Sequence, residues 1–186
     1  KARICKLSSF DRFDLYVPFR EPTTKYSFLV CKKITLETYR SFSAIMATAA
    51  EGIFAAGHVH SDILPHKRSG AFCSSITKDL PPFILLNHVN KLQDLFTMMH
   101  EFGHGIHHML ARQQTEFTFH SCLPLAETAS TFGELLLSRR LLAAAKTKQE
   151  KIAILLHLLD GHYASIVRQA YFVLFEISAH EKLAAG

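Results

Sequence analysis

Long hydrophobic runs are absent from this 186-residue sequence. No stretch reaches the roughly 18 consecutive apolar residues that a membrane-spanning helix requires, so we expect no membrane partner. Charged residues interrupt residues 1–16, KARICKLSSFDRFDLY, which therefore lack the continuous apolar segment of a signal peptide. These two absences predict a cytoplasmic protein.

Cysteine is also scarce, with four residues at Cys5, Cys31, Cys73 and Cys122. They lie far apart, and no two of them form a C-x-x-C pair. This spacing predicts buried, reduced thiols and argues against disulfides or a cysteine metal site.

The excess of positive charge is small as well. The formal net charge is +5, and the basic residues are scattered, with only short clusters such as KRSG and SRR. Proteins that bind nucleic acid usually concentrate Lys and Arg on one face or along one helix. The sequence therefore predicts no nucleic-acid partner.

The composition that remains is that of a folded domain, with 48% hydrophobic and 20% charged residues. The piece DLYVPF at 14–19 reads as extended. Apolar residues at three- and four-residue spacing predict one helix over 35–57, ending near Gly57, and a polar loop follows at 58–70. The runs AFCSSI (71–76) and PFILLNHV (82–89) predict a β-hairpin or two neighbouring strands.

The sequence after residue 90 reads as helix throughout. Its apolar periodicity predicts helices over about 91–112, 123–145 and 149–182, separated by the polar segments RQQTEFTFHSCLP and KTKQE. We therefore predict a mainly α fold with a small β element at about 70–90, as a single domain covering 1–186.

The stretch HEFGHGIHH, residues 100–108, contains the pattern H-E-x-x-H in His100, Glu101 and His104. Residues four apart lie on one helix face, so both imidazoles can reach one metal ion about 2 Å away. The glutamate beside the first ligand can take a proton from a water that the cation polarises. The pattern therefore predicts a metal site that activates water.

Two imidazoles leave a catalytic zinc one protein ligand short. Position 110 is leucine, which excludes a third histidine six residues after His104. The next predicted helix offers Glu127 and Glu134, seven residues apart and so on one face. We favour Glu127 as the ligand, because small residues around it allow two helices to approach closely, and Glu134 as the acceptor for a ligand imidazole. Glu116, in the intervening loop, is the competing candidate.

The segments KRSGAFCSS, PFILLNHVNKLQDLFTMMHEFGHGIHH and LPLAETASTFGELLL resemble oligoendopeptidase F and the wider thimet oligopeptidase-like zinc metallopeptidases. The resemblance implies that His100, His104 and Glu127 bind one Zn²⁺ ion and that Glu101 is the general base. It also implies a largely helical, zincin-like catalytic core whose deep channel admits short, unstructured peptides.

The same resemblance bears on two neighbouring features, and the direction of His108 on the helix bears on a third. It implies that the strand in AFCSSI borders the substrate channel, where an unpaired edge can bind an extended peptide. His107 matches a recurring histidine of the family, and we expect it to have a hydrogen-bonded structural role. His108 is expected at the surface.

In one respect the sequence departs from the family. These enzymes are considerably longer and carry a loop rich in histidine and tyrosine that donates hydrogen bonds to the oxyanion. We therefore expect a catalytic-core fragment without that loop. Two hypotheses follow: a zinc-dependent metalloendopeptidase that hydrolyses short oligopeptides, or a truncated, catalytically impaired module that binds zinc and peptide.

Overall fold

The computed structural model describes residues 8, 9, 11 and 24–186. The chain divides into two compact units: the larger is Thr23–Ala143, and the described helices of the smaller lie in Ala144–Gly186. Helices dominate the described residues and three short strands form one sheet, which confirms the predicted mainly α fold with a small β element. No helix in this described part is long and apolar enough to cross a membrane. The extended piece predicted at 14–19 lies outside the described residues.

The larger unit begins with two helices where one was predicted. Helix α1 is Phe28–Phe42 and helix α2 is Ala44–Ala55, so the prediction of a single helix over 35–57 is wrong. Ser43 separates them because its backbone is extended, at φ −153°, and its hydroxyl accepts a hydrogen bond from Met46 N. Serine favours this capping position, which apolar periodicity alone does not reveal.

The sheet contains strands β1 (Val59–His60), β2 (Phe72–Ser74) and β3 (Phe83–Leu85), in the order β1-β3-β2. Strands β2 and β3 are antiparallel, with Cys73 opposite Ile84, which confirms the two predicted neighbouring strands. Strand β2 therefore forms an edge of the sheet and packs against the next helix.

Strand β1 lies in the segment predicted to be a polar loop, so that prediction is wrong at these two residues. Its pairing with β3 is parallel and rests on hydrogen bonds from Ile84 N to His58 O (2.8 Å) and from Leu86 N to His60 O (2.8 Å). Two residues are too few to show the alternation by which a strand is recognised in sequence.

Helix α3 (Leu92–Ala111) and helix α4 (Leu123–Ala144) complete the larger unit, and both lie within two residues of the predicted bounds. Helix α3 packs against α1, α2, β2 and β3, and so forms the centre of the core. Asp94 fixes its start, because Asp94 Oδ2 accepts hydrogen bonds from the backbone nitrogens of Val89 and Lys91, each at 2.8 Å.

The smaller unit contains helix α5 (Lys148–His162), a π-helical segment (Tyr163–Arg168) and helix α6 (Gln169–Ala184). The residues at both junctions keep right-handed helical angles, so helical backbone runs without a break from 148 to 184. The sequence predicted one helix over about 149–182 and did not indicate the π-helical segment.

Three of the four cysteines lie in the described residues, and all three are free thiols. Cys31 is buried as predicted, Cys73 is partly buried, and Cys122 is exposed. The prediction of burial is therefore wrong for Cys122, which directly precedes helix α4. Cys5 lies outside the described residues.

Helices α3 and α4 approach each other closely at two glycines. A Cβ added to Gly103 would lie 2.6 Å from Ala129 O, and one added to Gly133 would lie 2.7 Å from Met99 O. Each glycine therefore contacts the backbone of the other helix, where no side chain fits. The buried Tyr39 supports this crossing, because its hydroxyl donates to Met99 O at 3.0 Å.

We expect Gly103→Ala to destabilise the protein. The added methyl group would press on backbone atoms that cannot rotate away, and overpacking of this kind costs about 1–3 kcal/mol. Gly161→Ala is the matched control, since nothing lies within 4 Å of its added Cβ and alanine is favoured over glycine in a helix by about 1 kcal/mol. Urea unfolding should show a lower midpoint for Gly103→Ala and an equal or higher one for Gly161→Ala. Equal stability of Gly103→Ala and the unmodified chain would contradict the close approach.

Candidate metal centre and active site

The two histidines of the H-E-x-x-H pattern lie on the same face of helix α3. Their Nε2 atoms are 3.2 Å apart, and their rings are roughly perpendicular, at 81°. Each imidazole therefore directs a ring nitrogen toward one point beside the helix. The structure brings His100 and His104 together as the sequence predicted.

Glu127 reaches this point from helix α4. Its Oε2 lies 3.5 Å from His100 Nε2 and 3.8 Å from His104 Nε2. Within the described residues, these three side chains form the one group of three or more potential ligands whose donor atoms all lie within 4.8 Å of one another. The arrangement can hold a metal ion.

Ser130 orients the Glu127 carboxylate. Its hydroxyl is buried, 2.9 Å from Glu127 Oε2 and 2.9 Å from Glu127 O, so its single proton serves one of these acceptors at a time. The Glu127 side chain is 54% exposed, and the cluster is open to solvent on this side. In the sequence, Ser130 is one of the small residues around Glu127, and its position three residues after Glu127 is the signal that could have suggested this role.

Glu134 holds the other side of the His100 ring. Its Oε1 accepts a hydrogen bond from His100 Nδ1 at 2.6 Å, which confirms the predicted contact between Glu134 and an imidazole. In the neutral ring the proton then lies on Nδ1, so Nε2 presents a lone pair toward the Glu127 carboxylate. His100 Nε2 and Glu127 Oε2 are then two acceptors that face each other without a proton between them. A cation bound between them would relieve their repulsion.

The surroundings shift the two histidine pKa values in opposite directions. For His100, burial works to lower the pKa, but the hydrogen bond and charge of Glu134, with the charges of Glu101 and Glu127, raise it on balance. For His104, burial and then the neighbouring His100 lower the pKa. His104 is therefore the better neutral ligand of the two before a cation binds.

Glu101 lies in the interior beside the cluster, with 6% of its surface exposed. The backbone of Cys73 on β2 hydrogen-bonds to its carboxylate, and burial is the main reason that the pKa of Glu101 rises to about 7. Charges on Glu127 and Glu134 raise it further, while His100 lowers it. A cation at the cluster would lower it again.

The remaining candidates lie apart from the cluster. Glu116 is exposed in a turn and does not belong to the metal-binding group. His107 also stands outside that group, and its hydrogen-bonded role stays a prediction.

His108 was expected at the surface, and the structure shows it partly buried. Its ring packs against Phe119 and His120, with centroid distances of 6.0 and 5.5 Å. Burial, followed by the charges of neighbouring histidines, lowers the pKa of His108 to about 4. The loop after α3 folds back over this ring, which helical periodicity does not reveal.

Known proteins with similar sequences are peptidases by name. Oligoendopeptidase F of Lactococcus lactis subsp. cremoris is 32% identical over 187 residues, which cover 100% of this chain and 31% of that protein. Oligopeptidase PepF of Bacillus subtilis is 36% identical over 121 residues, covering 64% of this chain and 18% of that protein. The chain therefore spans less than a third of the length of these relatives.

Solved structures with a similar fold are also named as peptidases. A crystal structure of a candidate peptidase from Chlamydophila abortus superposes with a TM-score of 0.77 and 32% identity, covering 97% of this chain and 30% of that one. PZ peptidase A with an inhibitor shares the fold at a TM-score of 0.71 and 16% identity, over 86% of this chain and 29% of its own. The pattern of peptidase family M3 matches residues 29–186. Because that match extends through both helices that carry the cluster, the chain belongs to peptidase family M3.

Proposed function

We propose that this chain carries the zinc-binding catalytic centre of a metalloendopeptidase that hydrolyses short oligopeptides, with a zincin-like arrangement of its helices. The observation that carries the proposal is the convergence of His100, His104 and Glu127 beside the buried carboxylate of Glu101. Membership of the family and the names of the relatives support the reaction class.

The donor set fits zinc in both chemistry and spacing. Zinc–ligand bonds of about 2.0–2.2 Å at tetrahedral angles place neighbouring ligand atoms about 3.3–3.6 Å apart. The three donor atoms of this cluster are separated by 3.2, 3.5 and 3.8 Å. Two histidines and one glutamate also leave the fourth position for water or substrate, as catalytic zinc sites do.

A zinc ion bound there would polarise a water molecule and the scissile carbonyl. Glu101 has the position to take the proton of that water and to pass it to the leaving amine. The hydrogen bond from Cys73 holds one side of the Glu101 carboxylate. Glu134 holds the proton on His100 Nδ1, which keeps Nε2 available as a ligand.

The free edge of β2 is suited to an extended peptide. Because Ile84 N faces β1, the opposite residue Cys73 is not hydrogen-bonded to β3, and its backbone groups face away from the sheet. Its bond to Glu101 places this edge next to the proposed base. This geometry supports the expectation that the strand lines the substrate site.

A module that binds zinc and peptide without efficient cleavage would use the same ligands, so ligand binding alone does not separate the two functions. We therefore combine metal analysis with cleavage of a quenched fluorescent oligopeptide by the 186-residue chain. Bound zinc with cleavage that a chelator abolishes supports the peptidase, and bound zinc without cleavage supports the module. The cytoplasmic location and the source of the oxyanion donors stay predictions.

Removing the Glu134 carboxylate should weaken zinc binding without abolishing it. Loss of an outer hydrogen-bond partner of a ligand histidine typically costs about 10- to 100-fold in metal affinity. We expect that loss for Glu134→Ala and a smaller one for Glu134→Gln, whose amide oxygen still accepts from His100 Nδ1. A competitive chelator titration measures both, with the exposed Glu116→Ala as the matched control. A larger loss of zinc affinity for Glu116→Ala than for Glu134→Ala would show that Glu134 is not the residue that supports the ligand histidine.

A further inference from the structure

Strand β2 is short for an edge that binds peptide. It has three residues, Phe72–Ser74, at the lower limit of strand length, so its pairing with β3 supplies few backbone hydrogen bonds. One of the three is Cys73, whose backbone bonds to Glu101, so the height of the strand on α3 decides where an edge-bound peptide lies. The contacts that hold the two ends of β2 therefore bear on the geometry of the site.

Asn87 holds the start of the strand. Phe72 pairs with Leu85, and the same register places Gly70 opposite Asn87. Gly70 has φ +82°, so the chain leaves the sheet there and the Asn87 side chain continues the contact in place of the backbone ladder. Asn87 Nδ2 donates to Gly70 O at 2.8 Å and to Arg68 O at 3.0 Å. The segment that leads into β2 is therefore tied to the end of β3.

Arg112 holds the other end, through the connection between β2 and β3. It is the C-cap residue of α3, and its guanidinium bonds to two successive carbonyl groups: Nε donates to Lys78 O at 2.6 Å, and Nη2 donates to Asp79 O. Lys78 Nζ returns a hydrogen bond to Gln114 O at 3.4 Å. The planar fork of arginine can serve two neighbouring acceptors in a fixed geometry. The turn at 78–79 is therefore fixed to the end of the helix that carries both histidines.

The same connection also contacts α3 beside one of those histidines. A Cβ added to Gly105 would lie 3.4 Å from Cγ of the buried Pro82, and Gly105 directly follows His104. Arg112 lies seven residues after Gly105 (112 − 105 = 7), so both face the same side of α3. The connection after β2 thus rests on α3 at two places, one beside the cluster and one at the helix end.

We propose that Arg112 and Asn87 are positioning residues, which hold the free edge of β2 at the height on α3 where a bound peptide reaches the zinc site. The proposal rests on the proposed peptidase function and adds to it two residues outside the metal-binding group. Arg112 acts on the connection after the strand, and Asn87 acts on the segment before it. Loss of either lets the edge shift, so peptide affinity falls while the zinc ligands keep their places.

The test compares two probes on the zinc-loaded Glu101→Gln chain, which should bind peptide with little turnover. One probe is a fluorescently labelled heptapeptide of alanine and lysine, which is long enough to lie along the strand edge. The other is acetohydroxamate, a small bidentate metal ligand that reaches the zinc alone. Adding Arg112→Met or Asn87→Leu should weaken peptide binding about fivefold to tenfold, as the loss of a hydrogen bond typically does, and leave acetohydroxamate affinity unchanged.

Arg140→Met is the matched control for a merely structural loss. Arg140 Nη2 donates to Glu37 Oε2 in an ion pair that joins α4 to α1 and does not involve β2 or its connections. Whatever Arg140→Met does to the urea midpoint, it should leave the affinities for both probes unchanged. Arg112→Lys keeps one donor group and should recover part of the peptide affinity that Arg112→Met loses.

Peptides that carry a single methylated backbone nitrogen show whether the edge itself is affected. Edge pairing uses peptide N–H groups, so at one position methylation should cost about tenfold in affinity for the Glu101→Gln chain. In Arg112→Met that cost should shrink to about twofold, because the edge and the methylated position are coupled. A cost that stays the same would show that β2 keeps its place without Arg112, and the positioning role would be wrong.

Four other results would overturn the proposal. An equal loss of peptide and acetohydroxamate affinity in Arg112→Met would place the defect at the zinc site. The others are unchanged peptide affinity in both Arg112→Met and Asn87→Leu, an equal loss of peptide affinity in Arg140→Met, and no peptide binding by the starting chain.

Turnover separates this proposal from that of the peptidase. With Glu101 restored, a rise in KM of about fivefold to tenfold at nearly constant kcat in Arg112→Met supports both proposals. Cleavage with KM and kcat unchanged in Arg112→Met and Asn87→Leu supports the peptidase and rejects the positioning role. If the unmodified chain cleaves no peptide while the Glu101→Gln series shows the expected affinities, the peptidase proposal fails and the positioning role stands.

Discussion

Substitution of His100, His104 or Glu127 by alanine should each leave the purified chain with far less than one zinc ion per molecule. The loss should exceed the roughly 10- to 100-fold drop in affinity expected for an outer residue such as Glu134, because a bond to the ion itself is removed. Elemental analysis after dialysis against a weak chelator gives the stoichiometry.

Glu116 again offers the matched control for ligand loss. Glu116→Ala removes an exposed glutamate outside the metal-binding group and should retain one zinc ion. The three ligand variants should also lose the thermal stabilisation that zinc gives the unmodified chain, since a ligand that binds only the folded state raises the unfolding temperature. Full zinc occupancy in Glu127→Ala would reject this carboxylate as a ligand.

Glu101→Gln should abolish most peptide hydrolysis while zinc stays bound. A positioned general base contributes about 10²- to 10⁴-fold to rate, and an amide cannot accept the proton. Glutamine has nearly the same shape, and its oxygen can still accept the hydrogen bond from Cys73. Paired measurements of kcat and zinc content on the same preparation check this expectation.

The effect should fall on kcat more than on KM, because the proton transfer occurs in the transition state. Glu51→Gln, which changes a glutamate on helix α2 away from the cluster, serves as the matched control and should keep the rate. If Glu101→Gln cleaved peptides at an unchanged rate, the base would have to be another group, and the role assigned to Glu101 would be wrong.

The side chains that converge at the cluster lie at positions that the sequence singled out, because part of their signal is local. His100 and His104 are one helical turn apart, and Glu127 and Glu134 share a face of the next helix, so spacing indicates which side chains point the same way on each helix. The contact between Glu134 and His100 could be predicted from the general behaviour of ligand histidines. The choice of Glu127 over Glu116 rested on the small residues around Glu127, which allow two helices to approach closely, and on the family resemblance.

The features that could not be predicted depend on contacts between distant residues. Strand β1 exists because β3 passes beside His58 and His60, and two residues carry no periodic pattern of their own. The bond between Glu101 and Cys73 joins residues 28 positions apart (101 − 73 = 28), on different elements. Ser43 is a local exception: it ends α1 within an apolar pattern that continues through it, and its extended backbone and the hydrogen bond from Met46 N reveal the cap.

The crossing of helices α3 and α4 bears on how this protein tolerates change. At Gly103 and Gly133 the two backbones touch directly, so the spacing of the helices at the cluster does not depend on which apolar side chains fill the surrounding core. Core residues can then exchange for others of similar volume while the donor atoms keep their distances. Sequence drift or redesign could therefore alter much of the interior, provided that both glycines remain.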